Sequence, residues 1–352
     1  MTTSAPQNRA AWLKHPKQTP FEIGDAPTPT PSATEILIRI HAIAINPIEA
    51  AQQKVGMLIS SYPFIIGCDA AGEVVEVGSS VTKFQKGDRV TMLCDGSTEN
   101  DSSHSAFQLY AASREVIAAK IPDGMAYKDA VVLPLGISTA ACMLFQQDTL
   151  ALPFPTVPRK ANGKVLLVWG GSSSVGATGI QLAIGAGYDV VTTASPRNHA
   201  MCKEIGAKWV FDHSSPTVVE DIVSAVKSSG QLYAGAFCAI FGEPNAVCGK
   251  VTLQLATMDE AKVVATVYPA VMPLPKGLPE GVKYSTCYGS DLKKNEVGPA
   301  VWGEWIPKAL ENGDLKCKPD AVVVGHGLES LQEACDKMSA GVSGAKLVVE
   351  LS

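Results

Sequence analysis

The stretch Val168-Trp-Gly170-Gly171-Ser172-Ser173-Ser174-Val175-Gly176 constrains the fold more than any other part of the sequence. An apolar run, Lys164–Trp169, passes through small residues straight into a helical pattern, Val175–Ile184, which stops at Gly185-Ala-Gly187. A second apolar run, Tyr188–Ala194, comes next; then come His199–Ile205, closing at Gly206, and a third run, Ala207–Asp212. Strand and helix alternating at this spacing imply βαβ units and a parallel sheet. Central strands of such a sheet are buried on both faces, so they read as unbroken Val, Leu and Ile.

Small residues between a strand and a helix let backbone amides approach a pyrophosphate, and the helix N-terminus adds its positive dipole end. Gly176 permits close helix–strand packing. The spacing is one residue longer than Gly-x-Gly-x-x-Gly, and serines replace glycines, so the turn speaks through its βαβ context. Gly171, Ser172, Ser173, Ser174, Val175 and Gly176 are therefore the expected phosphate-binding residues of a dinucleotide site. A site for NAD needs Asp or Glu at the end of the second strand, to take the ribose 2′-hydroxyl. Here that strand ends in Ser195-Pro196-Arg197-Asn198. Arg197 is able to pair bidentately with a 2′-phosphate and Ser195 to donate to it. An arginine near a helix start opposes the dipole unless an anion sits there. NADPH is the expected cofactor.

The first ~130 residues have another character, with β-branched runs such as Glu35–Ile45 and Ala71–Val77 punctuated by Pro and Gly. At roughly 150 residues per domain, 352 residues make about two domains. Charged residues are 18 % and the formal net charge is −5. With no dense Lys/Arg block, nucleic acid is not an expected partner. The start, Met1–Arg9, lacks the apolar core of a secretory signal. The nearest thing to a membrane span, Ala130–Leu144, is cut by Pro134 and Gly136, so no membrane partner is expected. Nine scattered cysteines without a Cys-x-x-Cys read as reduced thiols in the cytoplasm, with no metal site.

Several segments together resemble the medium-chain dehydrogenase/reductase superfamily, in its zinc-independent, quinone-oxidoreductase-like branch. They are Ala42–Pro47, Gly67-Cys68-Asp69 through Gly78, Gly87-Asp-Arg-Val90, Pro134–Ala140, the Gly170–Gly176 turn and Ser343-Gly344-Ala345-Lys346. The Ser195–Asn198 and Gly136–Ala140 segments look most like stand-alone fungal enoyl reductases that serve polyketide synthases. The resemblance implies an α/β chain: a GroES-like β catalytic domain (1–130 and 300–352) around a Rossmann, doubly wound parallel sheet domain (131–299). It implies that Asn46 and Thr139 serve catalysis at the nicotinamide, and that Val267, Asn198, Gly344 and Ala345 contact the cofactor. His213 falls where relatives often carry a tyrosine near the adenine ribose. Pro134, Gly136, Ile137 and Ser138 fall to the substrate side.

The zinc-dependent pattern is absent, since Gly67-Cys68-Asp69 stands where those relatives have Gly-His-Glu. Related enoyl reductases also carry a lysine two positions after the acidic residue that comes after Asn-Pro; here Glu49 keeps the acid, and Ala51 replaces the lysine. Gln52, Gln53 and Lys54 are the nearby candidates to stand in for it. The expected reaction is NADPH-dependent reduction of an activated C=C in an enoyl or polyketide-type substrate, free or carrier-bound, in the cleft between the domains. A polyketide synthase is the candidate protein partner, and the chain is a monomer or homodimer. Two alternatives are an NADPH quinone or alkenal reductase, and a cofactor-binding protein that does not reduce (a cyclase, isomerase or sensor). Tyr268, Tyr284 and Tyr288 read either as proton donors or as packing. The Pro269–Tyr288 segment reads as an apolar substrate wall or as a surface loop.

Overall fold

Ten residues dominated by Ile and Ala, Glu35–Ala44, form the strand around which the first unit is built. In the computed structural model, which describes residues 7–268 and 272–351, this strand pairs antiparallel with Asp69–Val77, Tyr110–Arg114 and Lys346–Glu350. Arg89–Leu93 and Ala118–Lys120 extend the sheet on one side, and Ala321–His326 extends it beyond Lys346–Glu350 on the other. The ladder with Asp69–Val77 shifts register twice, at Leu37/Ile38 and Ile40/Ala42. Such bulges bend a strand and strengthen its twist. Ile36, Ile38, Ile40, Ile43 and Ile45 then join Phe64, Ile66, Phe107 and Val349 in one buried core. A small sheet of Asn8–Leu13, Glu22–Ala26 and Phe64–Ile65 completes the unit.

The second unit holds a six-stranded sheet in the order Trp209–Asp212, Asp189–Ala194, Lys164–Trp169, Leu232–Cys238, Val263–Thr266, Lys283–Ser285. Every pairing is parallel. Numbered along this unit, the order is 3-2-1-4-5-6, the Rossmann arrangement. Its strand order reverses between Lys164–Trp169 and Leu232–Cys238, where open α/β sheets bind ligands at their carboxyl ends.

The chain divides into Met1–Leu135 with Asp320–Ser352, and Gly136–Pro319. Residues 300–319, expected with the tail, thus pack in the second unit. The cause lies in the π-helix Pro299–Trp305 and the helix Ile306–Asn312 after it. Trp302 is fully buried and its indole donates to Ser138 Oγ at 3.1 Å. Trp305 packs where Gly185 has no side chain. The stretch Tyr127–Phe145 has the length and composition to cross a membrane, contrary to the sequence expectation, and 78 % of it is buried inside the protein. It is apolar because it packs in the interior.

Candidate functional site

The Lys164–Trp169 strand delivers the chain to the sheet's reversal point, and three glycines shape the turn beyond it. Gly170 has φ +85°. A Cβ on Gly171 would lie 2.2 Å from Thr192 Oγ1, and one on Gly176 would lie 2.1 Å from the Gly170 carbonyl oxygen. The turn is therefore pressed against both the next strand and its own helix, Ser174–Gly185. Ser173 caps that helix: its Oγ accepts from the Gly176 amide at 3.0 Å and donates to Gly170 O at 2.8 Å. The Ser174 and Val175 amides precede the first intrahelical bond, so the helix offers them no acceptor. Ser172, Ser174 and Val175 are half-buried and open to solvent. Two orphan amides, two hydroxyls and a helix N-terminus fit a pyrophosphate. Ser173 belongs to the turn's own scaffold.

One strand over, the pairing of Ala194 with Asp212 sets Ser195 beside His213. Ser195 Oγ and His213 Nε2 are 3.2 Å apart. Arg197 is exposed and Asn198 half-buried in the short turn Pro196–Asn198. Asp212, at the end of the third strand, accepts from the Ser214 amide and hydroxyl at 3.0 and 2.8 Å. A serine in contact with a histidine, and an exposed arginine two residues after the serine, supply the donors that a phosphate monoester needs.

Thr139 is half-buried, with Gly289 so close that a Cβ there would lie 2.8 Å from Thr139 Oγ1. Gly136, in the helix Pro134–Phe145, lies against the Ser174 carbonyl, tying that helix to the Gly170–Gly176 turn. Pro134 is buried; Ile137 and Ser138 are fully so, and Ser138 already accepts from Trp302. The Ser138 hydroxyl is thus already engaged within the second unit. Val267 is half-buried just after Val263–Thr266. The next residue, Tyr268, is buried with its ring stacked on Phe241, centroids 4.4 Å apart. Phe241 is 52 % exposed. Nothing in its local sequence marks it; its place after the Leu232–Cys238 strand becomes visible only with the sheet order. Within the apolar Pro269–Tyr288 segment, residues 269–271 lie outside the described ones. Met272 and Leu274 are exposed.

The first unit contains a cluster that sequence reasoning did not assemble. Asn46 precedes the helix Pro47–Val55, and its amide N–H donates to Glu49 Oε2 at 2.7 Å. Glu49 Oε1 accepts from the Cys68 amide at 2.9 Å. Asn46 Nδ2 donates to Asp69 Oδ2 at 2.9 Å, and Lys346 Nζ donates to Asn46 Oδ1 and lies 2.8 Å from Asp69 Oδ2. All four side chains are buried. Burial raises the Glu49 carboxyl to about 7; Asp69 beside it adds to the rise, and Lys346 offsets part of it. Burial also pushes the Cys68 thiol well up, with Glu49 and Asp69 adding to the effect. The signal was present in the sequence: a lysine opening the apolar run Lys346–Val349 and an aspartate opening Asp69–Ala71 each need a buried partner. Gly344, at φ +64°, and Ala345 are half-buried immediately before Lys346.

None of the expected stand-ins for the missing lysine is aimed at that cluster. Gln52 Nε2 donates to Ser97 Oγ at 2.6 Å, and Gln53 Nε2 donates to Gln18 O and Gln332 Oε1. Lys54 is exposed. Among the described residues, no group of three His, Cys, Asp or Glu side chains is arranged to hold a metal ion.

Residues 32–135 match the alcohol dehydrogenase GroES-like domain family. The chain is 40 % identical to Dehydrogenase pigH of Monascus ruber, across 98 % of this chain and 100 % of that one. It is 38 % identical to Trans-enoyl reductase himH of Aspergillus japonicus, across 98 % of each. Among solved structures it matches the CurK enoyl reductase with a TM-score of 0.76 at 19 % identity, over 99 % of this chain and 100 % of that one. Identity that low speaks for the fold alone.

Proposed function

Since the chain belongs to the medium-chain dehydrogenase/reductase family, we propose that it is an NADPH-dependent reductase of activated carbon–carbon double bonds in enoyl or polyketide-type substrates. The observation that carries the cofactor choice is Ser195 and Arg197 after the second strand, where an NAD site needs a carboxylate, with His213 beside Ser195 at the end of the third. Backbone amides of Ser174 and Val175 and the hydroxyls of Ser172 and Ser174 would hold the cofactor's pyrophosphate. Val267 lies at the end of the strand on the nicotinamide half of the sheet.

When bound, NADPH supplies the hydride for the β-carbon of the conjugated double bond. Thr139 Oγ1 donates to the substrate carbonyl, which draws electron density from the β-carbon and stabilises the negative charge that develops on oxygen. The α-carbon then takes a proton from water. Tyr268 and Tyr284 do not serve as donors in this scheme: one is stacked on Phe241, and the hydroxyl of the other is buried. Lys346 provides the Asn46–Asp69 cluster with a cation of its own, so the mechanism calls on no metal there. The nine cysteines, seven of them buried, fit a reducing compartment, and we place the protein in the cytoplasm. A polyketide synthase is the partner to test for carrier-bound substrate.

The test is a panel of enoyl thioesters, quinones and free alkenals, monitored by the loss of reduced-nicotinamide absorbance. Faster oxidation with the thioesters is expected. Tight NADPH binding without oxidation on any of the three classes would sink the reductase reading.

A further inference from the structure

We propose that Lys346 is a positioning residue, whose buried ammonium locks the Asn46 loop and the Gly344–Ala345 loop to one another. The proposal rests on the NADPH reading above and on the family resemblance, which implies that Asn46 lies at the nicotinamide and that Gly344 and Ala345 contact the cofactor.

Lys346 and Asp69 are 1 % and 0 % exposed, and Asn46 is 4 % exposed. The three close a ring: Lys346 Nζ meets Asp69 Oδ2 and Asn46 Oδ1, and Asn46 Nδ2 meets the same Asp69 oxygen. The other Asp69 oxygen accepts the Leu135 amide at 2.6 Å. Both ends of the Asn46 amide are thus engaged within the protein. This assigns Asn46 to shaping the site, not to touching a ligand with its amide.

The ring joins segments far apart in the chain at a point of mechanical consequence. Asn46 opens the Pro47–Val55 helix, and Glu49 ties that opening to the Cys68 amide. Lys346 directly succeeds Gly344 and Ala345, and it begins a strand already paired with Glu35–Ala44. Backbone bonds such as Ile45 N–H to Leu347 O at 2.9 Å and the burial of Leu347 and Val349 hold the body of that strand, and the ring fixes its first residue. A buried ion pair is replaceable, for stability, by uncharged groups of similar volume. A directional ring that orients an amide and a loop is not replaceable in that way.

Lys346→Met alone strands a buried carboxylate and disturbs folding. The decisive protein is therefore Lys346→Met/Asp69→Asn, which removes both charges. We expect its urea midpoint to return close to that of the parent chain. Amide hydrogen exchange at residues 341–345 is expected to accelerate in the ligand-free protein. NADPH binding, read by nicotinamide fluorescence without substrate, is expected to weaken about tenfold. Recovery of exchange protection and NADPH affinity together with the midpoint would reduce Lys346 to a stability role and overturn the proposal. Asn46→Ala, which keeps the ion pair and cuts the ring, is expected to loosen the same loop; unchanged exchange there overturns the proposal even if the double variant does not fold. Absence of NADPH binding by the parent chain defeats the functional reading instead, and leaves the exchange test standing.

Discussion

Arg197 is exposed in the turn that succeeds the second parallel strand, and Asp212, at the end of the neighbouring strand, accepts from the Ser214 amide. Bound to a 2′-phosphate the arginine forms a charge-assisted bond, so Arg197→Ala is expected to weaken NADPH by about 1.5 kcal/mol, the lower end for a solvent-exposed partner. NADH, which lacks that phosphate, should bind the variant almost as it binds the parent. Titration of both nucleotides checks this, and equal losses would remove Arg197 from the phosphate site. Glu49 carries a pH prediction of defined sign. Its carboxyl is raised from 4.5 to about 7, chiefly by burial, so the protonated form is favoured in the folded state. The stability it contributes is complete below 4.5 and is lost as pH rises through about 7. Urea unfolding across that window should show the parent chain weakening, and Glu49→Gln should flatten the trend. Its overall stability should be lower, because one amide NH₂ must face a backbone N–H that now meets a carboxylate oxygen.

At the scale of elements, the turn at Gly170–Gly176 depends on one hydroxyl. Ser173→Ala removes the cap on Gly176 and the bond to Gly170 O, and is expected to cost about 1 kcal/mol, measured by chemical denaturation. NADPH affinity should fall with it, because the same turn presents the Ser174 and Val175 amides. The parallel strands were legible in the sequence to within a residue or two: Lys164–Trp169 as read, Tyr188–Ala194 found as Asp189–Ala194, Ala207–Asp212 as Trp209–Asp212. Their periodicity is local, and burial on both faces writes it directly into composition. The features that escaped were set by contacts between distant residues. Ser138 looked available until Trp302 was found donating to it, and residues 300–319 looked like part of the tail until a π-helix packed them in the other unit. Asn46 and Glu49 stand at capping-box spacing, a signal visible in the sequence, but Asp69 and Lys346 meet only through the sheet.

At the scale of the whole molecule, the first unit is assembled from both ends of the sequence. Lys346–Glu350 is an interior strand, flanked by Glu35–Ala44 and Ala321–His326. Truncation after Gly344 is therefore expected to unmake that unit while leaving the parallel sheet of 136–319 protected. Limited proteolysis, with cleavage confined to residues before 136 and after 319, checks the outcome. The same arrangement sets a schedule during synthesis. The ribosome completes all six strands of the parallel sheet before it reaches Ala321, whereas Glu35–Ala44 has left the exit tunnel long before its partner Lys346–Glu350 is translated. Through that interval one edge of an Ile-rich strand lacks its neighbour, and such edges recruit other chains. Expression of this protein should be most sensitive to chaperone supply, and to ribosome pausing, over the codons that precede its final strand.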